Sequence, residues 1–184
     1  MPPHGDEVNP VAVVPARLDW LEALVEGDHV FTERFGVAVE AGWAGFPEAL
    51  PATVESARRQ TEDPWGTQLF FEDETLVGLG GFYGPPVDGM VEIGYAVAPS
   101  RQRRGVATAA VEILLGRAVE AGVALVIAHT LARVNPSTAV LGKTGFVRTS
   151  VHDDPDLGEV WRWERALADR GVRPITNTTH GPRC

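Results

Sequence analysis

VEIGYAVAPSRQRRGVATAAVEILLGRAVEAG, residues 91–122, runs from a strand-like stretch through an arginine-rich loop into an alanine-rich helical stretch. Side chains alternate along a strand. On Val91–Ala98 one face carries Val91, Ile93, Tyr95 and Val97, and the other carries Glu92, Gly94, Ala96 and Ala98. The second face holds one acid and three very small residues, and small side chains let another group lie close to the backbone. It reads either as the floor of a cleft with Glu92 at one end, or as the seat of a tightly packed helix with Glu92 salt-bridged or exposed. The helix expected over Val106–Ala121 has Thr108, Glu112, Gly116 and Glu120 as its polar stripe. Its first turn leaves N–H groups unpartnered at the positive end of the helix dipole. Arg101, Arg103 and Arg104 nevertheless crowd in front of it. Gly105 permits close approach, Val106 and Ala107 keep the turn narrow, and Thr108 offers a hydroxyl. A bound phosphate or pyrophosphate resolves the conflict of cations against the dipole. Solvated loop arginines are the plainer alternative.

Working outward, Val11–Ala16 reads as a short apolar strand, and Arg17–Gly27 as a helix with Leu18, Leu21, Leu24 and Val25 on one face. Residues 28–50 show no clear period. Pro51–Gln60 reads as a second helix. Gly66–Asp73 and Thr75–Gly84 read as two strands around the acidic turn Glu72–Glu74. After the quoted stretch come a strand at Ala124–Thr130 and a short helix begun by Asn135 or Ser137 and ended near Gly145. Two strands, Phe146–Val151 and Val160–Leu167, flank a turn-rich loop. The order is strand, two helices, three strands, helix, strand, helix, two strands: an α/β domain around a mixed sheet. Residues 1–10 read as a loose arm, 11–168 as one domain, and 169–184 as a disordered tail.

The 184 residues carry net charge −9, with 16 basic and 25 acidic side chains. The first 65 residues hold 12 of the acids and only 4 of the bases. Nucleic-acid binding through a broad basic face is therefore not expected. The acidic portion suits a cationic partner, or is simply a solvated surface. No apolar run is long enough for a membrane span, and the N-terminus lacks the charge and apolar core of a signal peptide. The single cysteine, Cys184, excludes a disulfide framework within one chain. The expected compartment is the cytoplasm. His4, His29, His152 and His180 show no metal-ligand spacing, and no metal site is expected. Asp153, Asp154 and Asp156 resemble half a calcium loop, but Pro155 and the lack of a distal acid favour a solvated turn.

Gln102-Arg103-Arg104-Gly105-Val106-Ala107 resembles the Q/R-x-x-G-x-G/A loop of GNAT-type N-acetyltransferases. EIGYAV before it looks like that family's fourth strand, and AHTLARVNPSTAVLGKTGF after it is similar to the RimJ/RimL-like branch. The resemblance spans Gln68–Trp163. It implies a single GNAT-like domain whose central sheet splays between its fourth and fifth strands, here Val91–Ala98 and Ala124–Thr130. It implies acetyl-CoA as cofactor, with CoA as product. The loop amides of Arg103, Arg104, Gly105, Val106, Ala107 and Thr108, with Gln102 beside them, would hold the pyrophosphate. Ala96, Val97 and Ala98 would pair with the pantetheine arm, and the amide of Val97 or Ala98 would face the thioester carbonyl. Asn135 and Ser137 would lie near the pantetheine and the sulfur. Homodimers are common in the family.

The implied reaction is direct attack of a primary amine on the acetyl carbonyl. An aliphatic amine with a pKa of ~10 arrives mostly protonated, so a base is required, and Glu92 is the candidate, directly or through a water. A strand-end N–H at Val97 or Ala98 would steady the carbonyl oxygen. Many relatives protonate the leaving thiolate with a tyrosine on the helix after the fifth strand. Residues 135–145 contain none. Ser137, or a water it positions, is the substitute, with Tyr83 second. Tyr83 and Tyr95 also fit an aromatic core. His129 ends a strand and either faces the cleft or is structural. Trp20, Trp43 and Trp65 lie in the part that should shape the acceptor pocket but read better as core, and Trp161 and Trp163, on one strand face, read as core or interface. The acceptor is a protein N-terminus or a small cationic amine. The alternative is a non-catalytic acyl-CoA-binding sensor or interaction module.

Overall fold

The computed structural model describes residues 10–59 and 64–167. The arm expected over residues 1–10 lies outside these apart from Pro10, and the tail expected over 169–184 lies outside them entirely. In chain order the elements are β1 (Val11–Pro15), α1 (Leu18–Glu26), α2 (Asp28–Phe35), β2 (Ala38–Val39), α3 (Leu50–Arg59), β3 (Thr67–Glu72), β4 (Thr75–Phe82), β5 (Met90–Val97), α4 (Val106–Glu120), β6 (Leu125–Leu131), α5 (Pro136–Lys143), β7 (Val147–Asp154) and β8 (Gly158–Ala166). Short 3-10 turns at Pro47–Ala49 and Pro99–Arg101 precede α3 and the α4 loop.

One mixed sheet runs β1-β3-β4-β5-β6-β8-β7, with β2 pairing to the start of β4. The expected seven strands and four helices become eight and five among the described residues. Both additions fall in the stretch without a readable period. α2 buries only Phe31, too few apolar positions to display a 3.6-residue repeat, and β2 is two residues long. The neighbouring elements agree with the expected ones to within a few residues at their ends.

The two faces of β1–β5 have separate cores. α4 packs Val106, Ala110, Val111, Leu114, Leu115 and Ala118 onto the face holding Phe70, Val77, Val91, Ile93 and Val97. Each such buried Val or Leu contributes about 1.5–3 kcal/mol. Glu112, Gly116 and Glu120 of the expected polar stripe are exposed. Arg117 reaches under the sheet edge, donating to Gln68 Oε1 at 2.7 Å and to the Val13 carbonyl at 2.6 Å. It thereby satisfies the fully buried Gln68 amide oxygen. On the opposite face α1, α2 and the loop before α3 gather Leu24, Phe31, Trp43, Ala44 and Leu50 over Leu69, Leu76 and Ala98. Trp20 packs edge-on to Phe31, Phe35 and Phe71, and buried Trp43 donates its indole N–H to Asp28 Oδ1 at 3.0 Å. Trp43 is buried in this core and Trp20 packs half-buried against it, the core reading of the two rather than the pocket one.

Candidate active site

β5 pairs with β6 only through Met90–Leu125, Val91–Val126 and Glu92–Ile127. From Ile93 to Val97 it pairs with β4 alone. The sheet therefore opens between β5 and β6 just after Glu92, at the strands where the splay was expected. In an antiparallel ladder, successive residues point their N–H and C=O groups alternately toward and away from the partner. Tyr83 N–H donates to the Glu92 carbonyl at 3.0 Å and Ala98 N–H to the Val77 carbonyl at 2.8 Å, so the even-numbered residues of β5 face β4. The N–H groups of Tyr95 and Val97 consequently face the opening. Of the two expected carbonyl donors, the Ala98 amide is already taken and Val97 is left.

The loop into α4 uses its side chains differently from expectation. Arg101 is bound within the protein: Nε donates to Glu40 Oε2 at 2.8 Å, and its guanidinium reaches Glu72 Oε2 at 2.7 Å. Glu72 is almost fully buried, so this cation balances an interior acid rather than waiting for an anion. Gln102 donates from Nε2 to the Val97 carbonyl at 3.1 Å and thus clamps the loop to the strand end. Arg103 and Arg104 are exposed, with Arg104 3.7 Å from Glu72. Arg103 (φ 61°) and Gly105 (φ 86°) both have left-handed backbones. Such alternation turns successive N–H groups into one concavity. No side chain caps α4. Val106 is buried in the α4 core, which leaves only its backbone for a ligand, while Ala107 and Thr108 are half-buried beside it. An uncapped helix start in a nest of amides beside two exposed arginines fits a diphosphate.

Gly94 and Ala96 floor a cleft, and Glu92, on the same strand face, is not part of its lining. Cross-strand partners share a face, which places Tyr83, Gly81 and Leu79 beside them. The cleft, about 190 Å³, is lined by Gly80, Gly81, Gly94 and Ala96 below, Ala49 and Thr53 at the start of α3, and Tyr83 at the rim. A Cβ on Gly94 would run into the Tyr83 hydroxyl, so the missing side chain is what admits that ring. The Tyr83 ring is 77% exposed. Crowding of its hydroxyl, and then the Glu92 charge, push the phenol above its usual range, to an extent that solvent limits. Glu92 is also paired, as the rival reading of this face allowed: its Oε1 lies 2.7 Å from His129 Nδ1. Sequence reasoning gave His129 no partner. The signal lies in register alone, since Glu92 faces Ile127 and His129 is the next residue on that face of β6.

Across the opening stands α5. Asn135, expected near the pantetheine, is its N-cap. Its Oδ1 accepts from Thr138 N–H at 3.0 Å, the Asn135 N–H donates to Thr138 Oγ1, and its Nδ2 donates to the Arg133 carbonyl. The amide is thus spent on building the turn. Ser137 sits in the first turn of α5, and its carbonyl accepts from the Tyr95 hydroxyl at 3.2 Å. Burial raises the Tyr95 phenol well above its usual range, with the Ser137 bond opposing. Tyr95 packs against the α4 core, as expected, and its hydroxyl also ties β5 to α5 across the gap. Asp154 Oδ1 accepts from the N–H groups of Asp156 and Leu157, which makes the acidic loop a hydrogen-bonded turn.

A parting sheet, a strand-end amide facing the gap and an uncapped helix start thus lie around the C-terminal end of β5. The chain belongs to the acetyltransferase (GNAT) domain family, whose sequence pattern matches residues 18–147. No curated protein sequence matches the chain significantly. Among solved structures it is similar to Mycobacterium smegmatis RimJ in complex with a CoA disulfide, at 18% identity, TM-score 0.64, covering 86% of this chain and 83% of that one. It is also similar to RimL, a ribosomal-protein α-N-acetyltransferase in complex with coenzyme A, at 15% identity, TM-score 0.64, covering 85% and 94%. A third similar structure is yncA from Salmonella typhimurium with acetyl-CoA, at 16% identity, TM-score 0.62, covering 91% and 99%. At these identities the likeness establishes the shared fold. No helix among the described residues is long and apolar enough to cross a membrane.

Proposed function

We propose that this protein transfers an acetyl group from acetyl-CoA to a primary amine, carried by a protein N-terminus or a small cationic molecule. The observation that carries this reading is the parting of β5 from β6 at Glu92. It leaves the Val97 N–H facing a gap that has a carboxylate at its apex and an uncapped helix start beyond its other end. The amides of Arg103 to Thr108 hold the diphosphate, with Arg103 and Arg104 adding charge and Gln102 fixing the loop. Ala96–Ala98, whose side away from β4 offers the Val97 N–H, would lie along the pantetheine arm.

Acetyl-CoA supplies an activated acyl thioester. The Val97 N–H donates to the carbonyl oxygen as negative charge gathers there. The apex at Glu92 removes the proton that the attacking amine must lose, through the carboxylate or a group it controls. Ser137, or a water it positions, returns a proton to the departing sulfur, and Tyr95 holds α5 at the spacing this needs. The cleft floored by Gly94 and Ala96 admits the chain that bears the amine. A thiol-release assay over a panel of amines, including peptides with free N-termini, tests the reading. Turnover with at least one class supports it, and silence with every amine together with no calorimetric CoA binding removes it.

A further inference from the structure

Beyond Glu92, the cleft-side face of the sheet continues onto β6, β8 and β7, where His129 and His152 are exposed and Ser150 is half-buried. An ionised carboxylate can only accept hydrogen bonds. The 2.7 Å contact between Glu92 Oε1 and His129 Nδ1 therefore places the proton of a neutral imidazole on Nδ1 and leaves a lone pair on Nε2. The side chains are 35% and 31% exposed, so the pair is open to an arriving substrate. Among the described residues, other charged or titratable groups stand around it. Arg162, cross-strand from His129, turns its Nε to Glu164 at 2.8 Å and its terminal nitrogen to Met90 Sδ. His152 lies edge-on to the His129 ring at 6.2 Å, with its own Nε2 held by Ser150 Oγ at 2.8 Å. Tyr83 stands on the β4 side of Glu92.

We propose that His129 Nε2 is the atom that takes the amine's proton, and that Glu92 acts through it by fixing the ring and its tautomer. An imidazole is a base matched to neutral pH, whereas a carboxylate is a far weaker one. A carboxylate that orients a histidine in this way also steadies the imidazolium that forms. The step rests on the acetyl-transfer reading and balances simply. The amine's lone pair forms the N–C bond and its proton passes to Nε2. The C–S bond breaks with its electron pair staying on sulfur, which takes a proton from Ser137 or its water, and solvent replaces that proton. The imidazolium then releases its proton to solvent.

The test uses the full chain, with Glu92→Gln and His129→Gln. Histidine nitrogen shifts in NMR spectra of the ligand-free protein should show His129 as the Nδ1–H tautomer. Glu92→Gln should shift the population toward Nε2–H. With an accepted amine, His129→Gln should lower kcat/KM by about 100-fold or more and remove the acid limb of its pH profile. CoA affinity by calorimetry should hold, which also reports folding. The double variant should be no worse than the poorer single one. A tautomer that Glu92→Gln leaves unchanged, or an active wild type whose His129→Gln variant keeps more than about a tenth of its kcat/KM, overturns the proposal. A wild type that binds no CoA and acetylates nothing removes the function itself, a different failure read in a different sample.

Discussion

The N-terminal end of β5, Met90 to Glu92, is paired with β6 on one side, while on the other Met90 bridges Val87 and the Glu92 carbonyl accepts from Tyr83 N–H; Ile93 to Val97 has a partner on the β4 side alone. The held end fixes a carboxylate against a histidine. The released end presents backbone donors that no strand consumes. One strand thus serves as anchor and as receptor, and the change occurs within a single residue. Its environment changes too: next to the released end the protein satisfies its own cations, through Glu40 and Glu72, while leaving the α4 amides uncapped.

If the held end carries the chemistry and the released end the binding, substitutions at each should separate turnover from affinity. The largest effect is expected at the Glu92–His129 pair, where Glu92→Gln should lower kcat by about 100-fold and by no more than His129→Gln does, with CoA affinity by calorimetry unchanged. A loss of affinity instead would erase the division of labour. Gly105→Val acts at the other end. A β-branched residue at φ 86° is strained by about 1–2 kcal/mol, and its side chain intrudes on the amide cradle. CoA affinity should fall at least about tenfold, which the same titration reads, with a melting curve reporting the strain alone.

Arg101→Met sharpens the claim that this arginine serves the fold. Breaking a buried pair costs about 3–5 kcal/mol, but Arg101 is 20% exposed and Arg104 stands near Glu72, so about 2 kcal/mol is expected from denaturant titration. Its partner Glu40 also gives a pH signature. The Arg101 bond first, then Ser100, hold the Glu40 carboxyl below its ordinary 4.5. A lowered native pKa contributes stability that is present above the unfolded value and lost as pH falls through the native one. Wild type and Glu40→Gln should therefore differ in urea midpoint above about pH 4.5 and converge in more acidic solution. The smallest effect belongs to Asn135→Ala. Loss of the α5 cap should cost about 1 kcal/mol and a few degrees of Tm, with turnover dropping only as far as Ser137 shifts.

Much of this was legible in advance. The alternation in Val91–Ala98 separated a bulky face from a small one, and both appear where expected, one under α4 and the other flooring the cleft. The order of elements from Gly66 onward follows from period and punctuation. Residues 28–50 resisted because α2 has a single buried anchor and the loop after β2 is shaped by contacts with other elements, such as Gly42 against Pro99 and Gly45 against Ala96. The internal partners of Arg101 and of the Asn135 side chain were out of reach for a related reason. Their residue types suit a ligand as well as a neighbour, and only a neighbour's position tells them apart.

By itself the sequence determined the strand with its two unlike faces, the glycine that opens α4, and the family pattern that ties them, because these depend on local period and backbone freedom. Tertiary structure alone decided which amide stays free, which arginine is spent on an interior acid, and that His129 meets Glu92. Those outcomes hang on strand register and on which chains lie side by side, and neither is encoded in any short stretch of residues.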